Sequence, residues 1–480
     1  MVFSSVVFLF YFLPIFIILY TVAPHKAKNL VLLVGSLFFY AWGEPVYILL
    51  MVFSILVNYI FGRLIGAGNR VKLWLTLGII VNLLLIGVFK YADFICGNIN
   101  SLFGTSMAEP GLPLPIGISF YTFQAMSYLI DLARGEVRLQ KNIINFATYI
   151  SMFPQLIAGP IVRLKDVEGS LEERTLSLSG AAYGIRRFII GLGKKVLLAN
   201  NAGMIFDSIT ASAETSGAGT LTGLAGLPVL TAWLAAIAFT FQIYFDFSGY
   251  SDMAIGLGSI MGFRFPENFN YPYISRSITE FWRRWHISLS TWFREYVYIP
   301  LGGNRKGPAR QVLNLLIVWL LTGMWHGASW NFIMWGLYYG LLLIFEKILG
   351  ARLLTRLPAA LQHLITMVLV IFGWIIFSLE SPADIISLMG ACFGISGTLF
   401  NAGSVYILRS NAVLLLLLAF GATDVPKRLW TECAGRLEKG TGQVTTLESL
   451  LENLFLAAVL IISIAYITAG TYNPFLYFRF

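Results

Sequence analysis

Charge is the first thing this sequence has little of. Only 12% of its 480 residues are Asp, Glu, Lys or Arg, against 57% hydrophobic, whereas a soluble domain carries about 25% charged residues. That shortage excludes a set of soluble cores, because too few polar side chains exist to cover them. Cysteine is scarce as well. Cys96, Cys392 and Cys433 are scattered, with no CxxC and no Cys/His ligand spacing, so neither a disulfide scaffold nor a metal site is expected. No Pro/Ser-rich linker or shift in composition divides the chain. It reads as one integral-membrane domain over 1–480, not as the three units that about 150 residues per domain would suggest. A cationic stretch ahead of the first apolar run is also missing, and Lys26 and Lys28 come after it. The run at 6–22 therefore reads as a retained first span with its N-terminus outside, not as a cleaved signal. GxSxG, Walker, HExxH and GxGxxG sequences are absent, which leaves hydrolase, nucleotide-binding and metalloprotease readings without support.

What charge there is favours one sign. The 33 basic and 24 acidic residues give a net +9, and the surplus lies in short clusters between apolar stretches, as at Lys26 and Lys28, then Arg63, Arg70 and Lys72. This is the pattern of a cytoplasmic membrane face. Nucleic-acid binding would need a basic face interleaved with aromatics on a soluble fold, which is lacking. A span takes about 20 apolar residues, and such segments recur at 6–22, 45–61, 73–89, 115–132, 144–158, 227–245, 331–345, 361–378, 404–420 and 454–470. Runs at 30–42, 311–321 and 385–400 are short for a crossing. The expectation is an all-α polytopic membrane protein of about 11 to 13 membrane helices, some broken or re-entrant. Soluble loops are expected near 163–177 and 427–446. Residues 181–199 carry Arg186, Arg187, Lys194 and Lys195 among aliphatics and read as an amphipathic interfacial helix. Its cations either snorkel or form a rim that draws an anionic, CoA-like donor.

The four histidines can be weighed one by one. His25 beside Lys26 reads as solvated, and His363, after Pro358 at the start of an apolar run, as interfacial. His286 lies in Phe281-Trp282-Arg283-Arg284-Trp285-His286-Ile287-Ser288-Leu289-Ser290. Treated as one helix, the stretch puts Thr279, Trp282, Arg283, Leu289, Ser290 and Phe293 on the face of His286, with Arg284, Ser288 and Glu295 opposite. Such a face can line a wet cavity for a phosphate-rich or thioester donor, with Arg283 as the charge clamp and His286 handling protons or hydrogen bonds. It equally describes an interfacial helix with a Trp belt and snorkelling arginines.

His326 lies in Thr322-Gly323-Met324-Trp325-His326-Gly327-Ala328-Ser329-Trp330. Arg305, Lys306 and Arg310 mark the preceding loop as cytoplasmic. The 15 residues from Gln311 to His326 rise about 22 Å along a helix, against a hydrocarbon core about 30 Å thick. An ionisable group that deep is costly and by default functional, although a packed histidine bonded to a neighbouring helix fits as well. Lys347, Arg352 and Arg356 come next, and only 35 residues lie over 311–345. The spacing predicts a hairpin, or a break between half-helices, with His326 near its tip and the 323–327 turn inside the bilayer. Asp246, which shares a helix face with Gln242, can orient a histidine or stabilise its cation, or its stretch can simply cap the next helix.

Together, Tyr244-Phe245-Asp246-Phe247-Ser248-Gly249-Tyr250-Ser251-Asp252, Asn268-Phe269-Asn270-Tyr271-Pro272-Tyr273, Trp282-Arg283-Arg284-Trp285-His286-Ile287-Ser288, Leu301-Gly302-Gly303-Asn304-Arg305 and Trp325-His326-Gly327-Ala328-Ser329-Trp330 resemble the membrane-bound O-acyltransferase (MBOAT) family. Within it they are similar to the bacterial polysaccharide O-acetylation branch. The motifs appear in family order over roughly 117–340, and the polytopic layout extends the likeness over nearly the whole chain. The resemblance implies a helical bundle around a central tunnel, with His326 matching the family's membrane-embedded histidine and His286 its second. Arg283, Asp246, Trp325 and Ser290 would bind the donor or support the site. It further implies no bound cofactor, acetyl-CoA or another acyl thioester as donor, and no nucleic acid. An extracytoplasmic polysaccharide such as alginate would be the acceptor, reached through a separate SGNH-type acetyltransferase. The location implied is the lipid of the cytoplasmic (inner) membrane.

An acyl group cannot cross the bilayer with its anionic carrier, so the reaction wants a centre at mid-depth, where His326 is a general base or a transient acyl carrier. The base is the preferred role. D-alanyl transfer to teichoic acid is an alternative. A polysaccharide or lipid-linked sugar transporter is another, against which the chain shows no evident pair of half-repeats. A non-catalytic export scaffold would leave an embedded His326 unexplained.

Overall fold

A chain this apolar has to satisfy its backbone within each segment. The computed structural model describes residues 1–214, 222–350, 356–441, 446–470 and 476, and these form helices and no strands. In chain order the helices that matter here are α1 (Leu13–Val22), α2 (Lys28–Gly43), α3 (Ile48–Gly66), α4 (Val71–Ile86), α5 (Ala92–Phe103), α6 (Ile118–Arg134), α7 (Leu178–Gly193) and α8 (Val229–Ile260). They continue with α9 (Ile278–Arg284), α10 (Ile287–Phe293), α11 (Pro308–His326), α12 (Trp330–Phe345) and α13 (Ala359–Ser378). A π-turn over Gly87–Tyr91 joins α4 and α5 into one span.

Among the described residues five helices are long and apolar enough to cross a membrane: α3, the α4–α5 span, α8, α13 and Leu447–Thr468. A sixth appears if Ala402–Ser410 and Ala412–Gly421, bent by 55°, count as one. This is fewer than the 11 to 13 expected from apolar runs, and the reason is local. The first run folds as one continuous but short helix, Phe8–Val22, with a π-turn at Phe8–Phe12. The run at 144–158 stops at Ser151 and resumes as Phe153–Leu156 around Pro154. An apolar run reports burial in something greasy, and protein serves as well as lipid.

α8 is the central post. Of its most apolar window 72% is buried within the protein, against 11% for the α4–α5 span, so α8 faces other helices where α4–α5 faces outward. Its closest partner is α7. A Cβ on Gly191 would sit 2.5 Å from the carbonyl oxygen of Gly249, and one on Gly256 would sit 2.5 Å from that of Gly184. Paired glycines seven residues apart on each helix thus let the two backbones touch, the small-residue packing that membrane helices rely on where hydrophobicity gives no preference.

The same contact corrects the reading of 181–199 as a free basic rim. Arg187 Nε donates to Asp252 (2.8 Å) and its Nη2 to Glu267 (2.6 Å), Lys194 pairs with Asp252 at 2.6 Å, Lys195 with Asp246 at 2.6 Å, and Arg186 with Glu452 at 2.7 Å. These cations face α8 and its neighbours and are neutralised there. Of the two loops expected to be soluble, 427–446 is in its described part helical, covering most of Val425–Thr441 and the first residue of Thr446–Thr468.

Candidate active site

The stretch around His286 is not one helix. α9 ends at Arg284, Trp285 is extended, His286 takes a left-handed conformation (φ 43°), and α10 starts at Ile287. Left-handed backbone is uncommon outside glycine, and such residues concentrate at functional sites. What holds the break is the segment Asn268–Asn270. The Ile287 N–H donates to Asn268 O (3.0 Å), and the Asn270 N–H to Arg284 O (2.9 Å). Asn268 Oδ1 then accepts from the Ser288 N–H (3.1 Å) and the Ser288 hydroxyl (2.9 Å), and lies 3.2 Å from His286 Nδ1. An oxygen committed to a backbone donor fixes the tautomer: Nδ1 carries the proton, and Nε2 is the free acceptor. His286 is 1% exposed, and its Nε2 is buried without a protein partner.

His326 is the last residue of α11. Gly327 is extended, and the chain turns over Gly327–Ser329 into α12. The two helices form a tight antiparallel hairpin, because a Cβ on Gly323 would run into the Phe332 carbonyl and one on Gly336 into the Trp319 carbonyl. At its tip His326, 8% exposed, packs edge-on against Trp325 (ring centroids 5.0 Å apart), Trp335 (5.0 Å) and Phe377 (5.2 Å). Its Nδ1 is buried without a protein partner. Trp325 also meets His286, at 5.9 Å, and Phe247 covers the other side of that imidazole at 4.7 Å. The fold therefore brings both histidines against one indole, among aromatic side chains.

The remaining candidates are placed differently. Ser290 donates to Trp282 O (3.4 Å) and ties α10 to α9. Arg283 is exposed; the break at Trp285 and His286 takes it off the histidine's side, so the common face drawn on a continuous helix does not exist. Asp246 orients neither histidine. One of its oxygens pairs with Lys195 (2.6 Å) and the other accepts the Leu476 N–H (3.0 Å). His363 bonds the Ser275 carbonyl (3.0 Å) and His25 that of Arg174 (3.2 Å). Two contributors escaped the sequence reading. Asn268 gave no signal of its own beyond its motif, since an asparagine between aromatics reads as a turn. Lys90 did give one, as the one lysine inside the apolar stretch 73–103.

A buried unprotonated imidazole nitrogen beside a second one, walled by aromatics, suits proton removal from a hydroxyl. That is the chemistry of acyl transfer to oxygen, and the comparisons agree with it. The chain belongs to the membrane-bound O-acyltransferase (MBOAT) family, whose model matches residues 118–386. It is thus a multi-pass membrane O-acyltransferase, and the transporter and scaffold readings fall. Among its relatives, the probable alginate O-acetylase AlgI of Pseudomonas putida is 42% identical over all of both chains, and that of Azotobacter vinelandii 39%, again over all of both. The peptidoglycan O-acetyltransferase of Helicobacter pylori is 34% identical over 87% of this chain and 85% of its own.

Proposed function

We propose that this chain, seated in the cytoplasmic (inner) membrane, moves an acetyl group from acetyl-CoA or another cytoplasmic thioester toward the O-acetylation of an extracytoplasmic polysaccharide. Alginate is the acceptor that the full-length relatives favour. One arrangement carries the reading: two buried imidazoles against Trp325, each with a ring nitrogen left open. His326 takes the proton of the accepting hydroxyl as its oxygen attacks the thioester carbonyl. The tetrahedral intermediate then collapses, the C–S bond breaks, and the departing thiolate takes the proton back from the imidazolium. His286 Nε2 accepts a hydrogen bond from the incoming hydroxyl and orients it. Arg283, exposed beside the break, offers a cation to the phosphates of the donor. The accepting hydroxyl is that of a separate SGNH-type acetyltransferase outside, because the polymer lies beyond the membrane; a sugar hydroxyl of the polymer then attacks that ester, takes the acetyl group and returns its proton to the transferase oxygen.

The test is complementation in an alginate-producing host deprived of its own membrane acetylase. His326→Ala is expected at wild-type membrane abundance with polymer acetylation down about 100-fold or more, and His286→Ala with a smaller loss of about tenfold. Wild-type acetyl content with His326→Ala would overturn the assignment.

A further inference from the structure

The last carbonyls of a helix have no partner within it and carry its negative end. At the end of α11 the four to account for are those of Gly323, Met324, Trp325 and His326. Gly323 O accepts the Gly327 N–H (3.4 Å). The other three are all taken by two adjacent residues of another span. Tyr91 Oη donates to Met324 O, and Lys90 Nζ donates to Trp325 O (2.5 Å) and His326 O (2.9 Å), with Ser119 Oγ 3.5 Å away. Lys90 is 9% exposed, and among the described residues it pairs with no carboxylate. A buried ammonium is expensive, and here the helix terminus itself compensates it.

Lys90 and Tyr91 close the π-turn Gly87–Tyr91. A π-turn adds one residue to a helical turn and re-aims the helix beyond it, and such turns recur at functional sites. The brace continues along α5. Asn98 Oδ1 accepts the Trp330 indole N–H (3.0 Å), and Phe94 packs on the Trp330 ring at 5.8 Å. The α4–α5 span therefore grips both sides of the hairpin tip, just before and just after the turn.

We propose that Lys90, seconded by Tyr91, is a positioning residue for the acyl transfer. It locks the carboxyl end of α11 so that Trp325 and His326 face His286, and it acts through their backbone, not on substrate. The inference rests on His326 being the reacting base. It predicts an effect on turnover and little on donor binding, since the ammonium touches only carbonyls and one hydroxyl.

The experiment uses the full-length protein in proteoliposomes with acetyl-CoA as donor, a partner SGNH-type acetyltransferase with an alginate oligosaccharide on the acceptor side, and thiol release as the readout. Lys90→Met is expected to lower kcat about tenfold or more, because small misplacements of a reacting group are costly, with the KM for acetyl-CoA within about twofold of wild type. Lys90→Arg, which can still donate to both carbonyls, is expected to recover most of the lost kcat. Tyr91→Phe, which releases only Met324 O, is expected to lower kcat by a few-fold. Should Lys90→Met not survive solubilisation, Lys90→Arg and Tyr91→Phe decide. Wild-type kcat in Lys90→Met, or a rise in KM without loss of kcat, overturns the inference, as does wild-type kcat in Tyr91→Phe together with no recovery in Lys90→Arg. His326→Ala runs alongside. If it is active, the functional reading itself has failed; if it is inactive while Lys90→Met is normal, only the positioning role has.

Discussion

His286 and Asp246 show how much of a residue's role depends on what stands next to it. Both are polar groups in apolar surroundings, and both were candidates for the same chemistry. His286 keeps an unpartnered Nε2 because Asn268 occupies only its Nδ1, whereas Asp246 is consumed by Lys195 and by the Leu476 N–H. The side chains of the Asp246–Lys195 pair are 4% and 2% exposed, which makes the two mutually dependent. Removing one partner leaves a buried uncompensated charge, at a cost of about 3–5 kcal/mol, while replacing both with apolar residues costs far less. Asp246→Leu or Lys195→Met alone should therefore sharply lower the unfolding temperature of detergent-solubilised protein, and the double variant should recover most of it. If the double variant is no better than the singles, the ion pair is not what links them.

Elements are held in place by charge as well as by glycine contact. The start of the helix Leu164–Glu172 meets the turn that follows α10 through Glu295, which pairs with Arg163 (2.6 Å) and Lys165 (3.0 Å). Burial works to raise the Glu295 carboxyl, but the hydrogen bond from Lys165 and the charges of Arg163 and Lys165 outweigh it and hold the group below its ordinary value of 4.5. A carboxylate lowered in the folded state binds fewer protons there than in the unfolded chain. Its contribution is thus fully present above about pH 5 and is lost as pH falls through the unfolded value and then the folded one. Thermal unfolding followed from pH 7 to pH 3.5 should show Glu295→Gln less stable than wild type at neutral pH and converging with it at the acid end. A constant gap across that range would mean the network does not act through charge.

At the scale of the whole molecule the α11–α12 hairpin sets the topology. The antiparallel glycine contacts put the start of α11 and the end of α12 on one side, as the basic residues around them require. α11 has 19 residues, a length of about 28 Å, close to the roughly 30 Å of the hydrocarbon core. Single cysteines at Gly307 and Lys347, in a background without Cys96, Cys392 and Cys433, should both label with an impermeant thiol reagent only when the cytoplasmic face is open. A cysteine at Ala328 reports the tip: no labelling from either side places His326 inside the bilayer, and labelling from outside places the turn at the far surface. Labelling of Gly307 and Lys347 from opposite sides would contradict the hairpin.

Class and chemistry were legible along the chain. Low charge and recurrent apolar runs dictate a helical membrane protein, because backbone polar groups in lipid must be satisfied within a helix. His326 stood out because an ionisable side chain in such a run needs a reason, and the ordered motifs named the family that the matched residues 118–386 confirm. These are local properties, set by the order of neighbouring residues. The number of crossings, the break at His286 and the partners of the charges are not local. Whether an apolar run meets lipid or protein, whether Arg187, Lys194 and Lys195 face an acidic helix or water, and whether Asn268 reaches His286 all depend on which segments pack together. Asn268 lies 18 residues from His286, and Lys90 lies 236 from His326. No periodicity connects residues so far apart, so only the packed chain, by closing helix ends and buried charges against one another, decided which polar groups are spent on structure and which nitrogens stay free for chemistry.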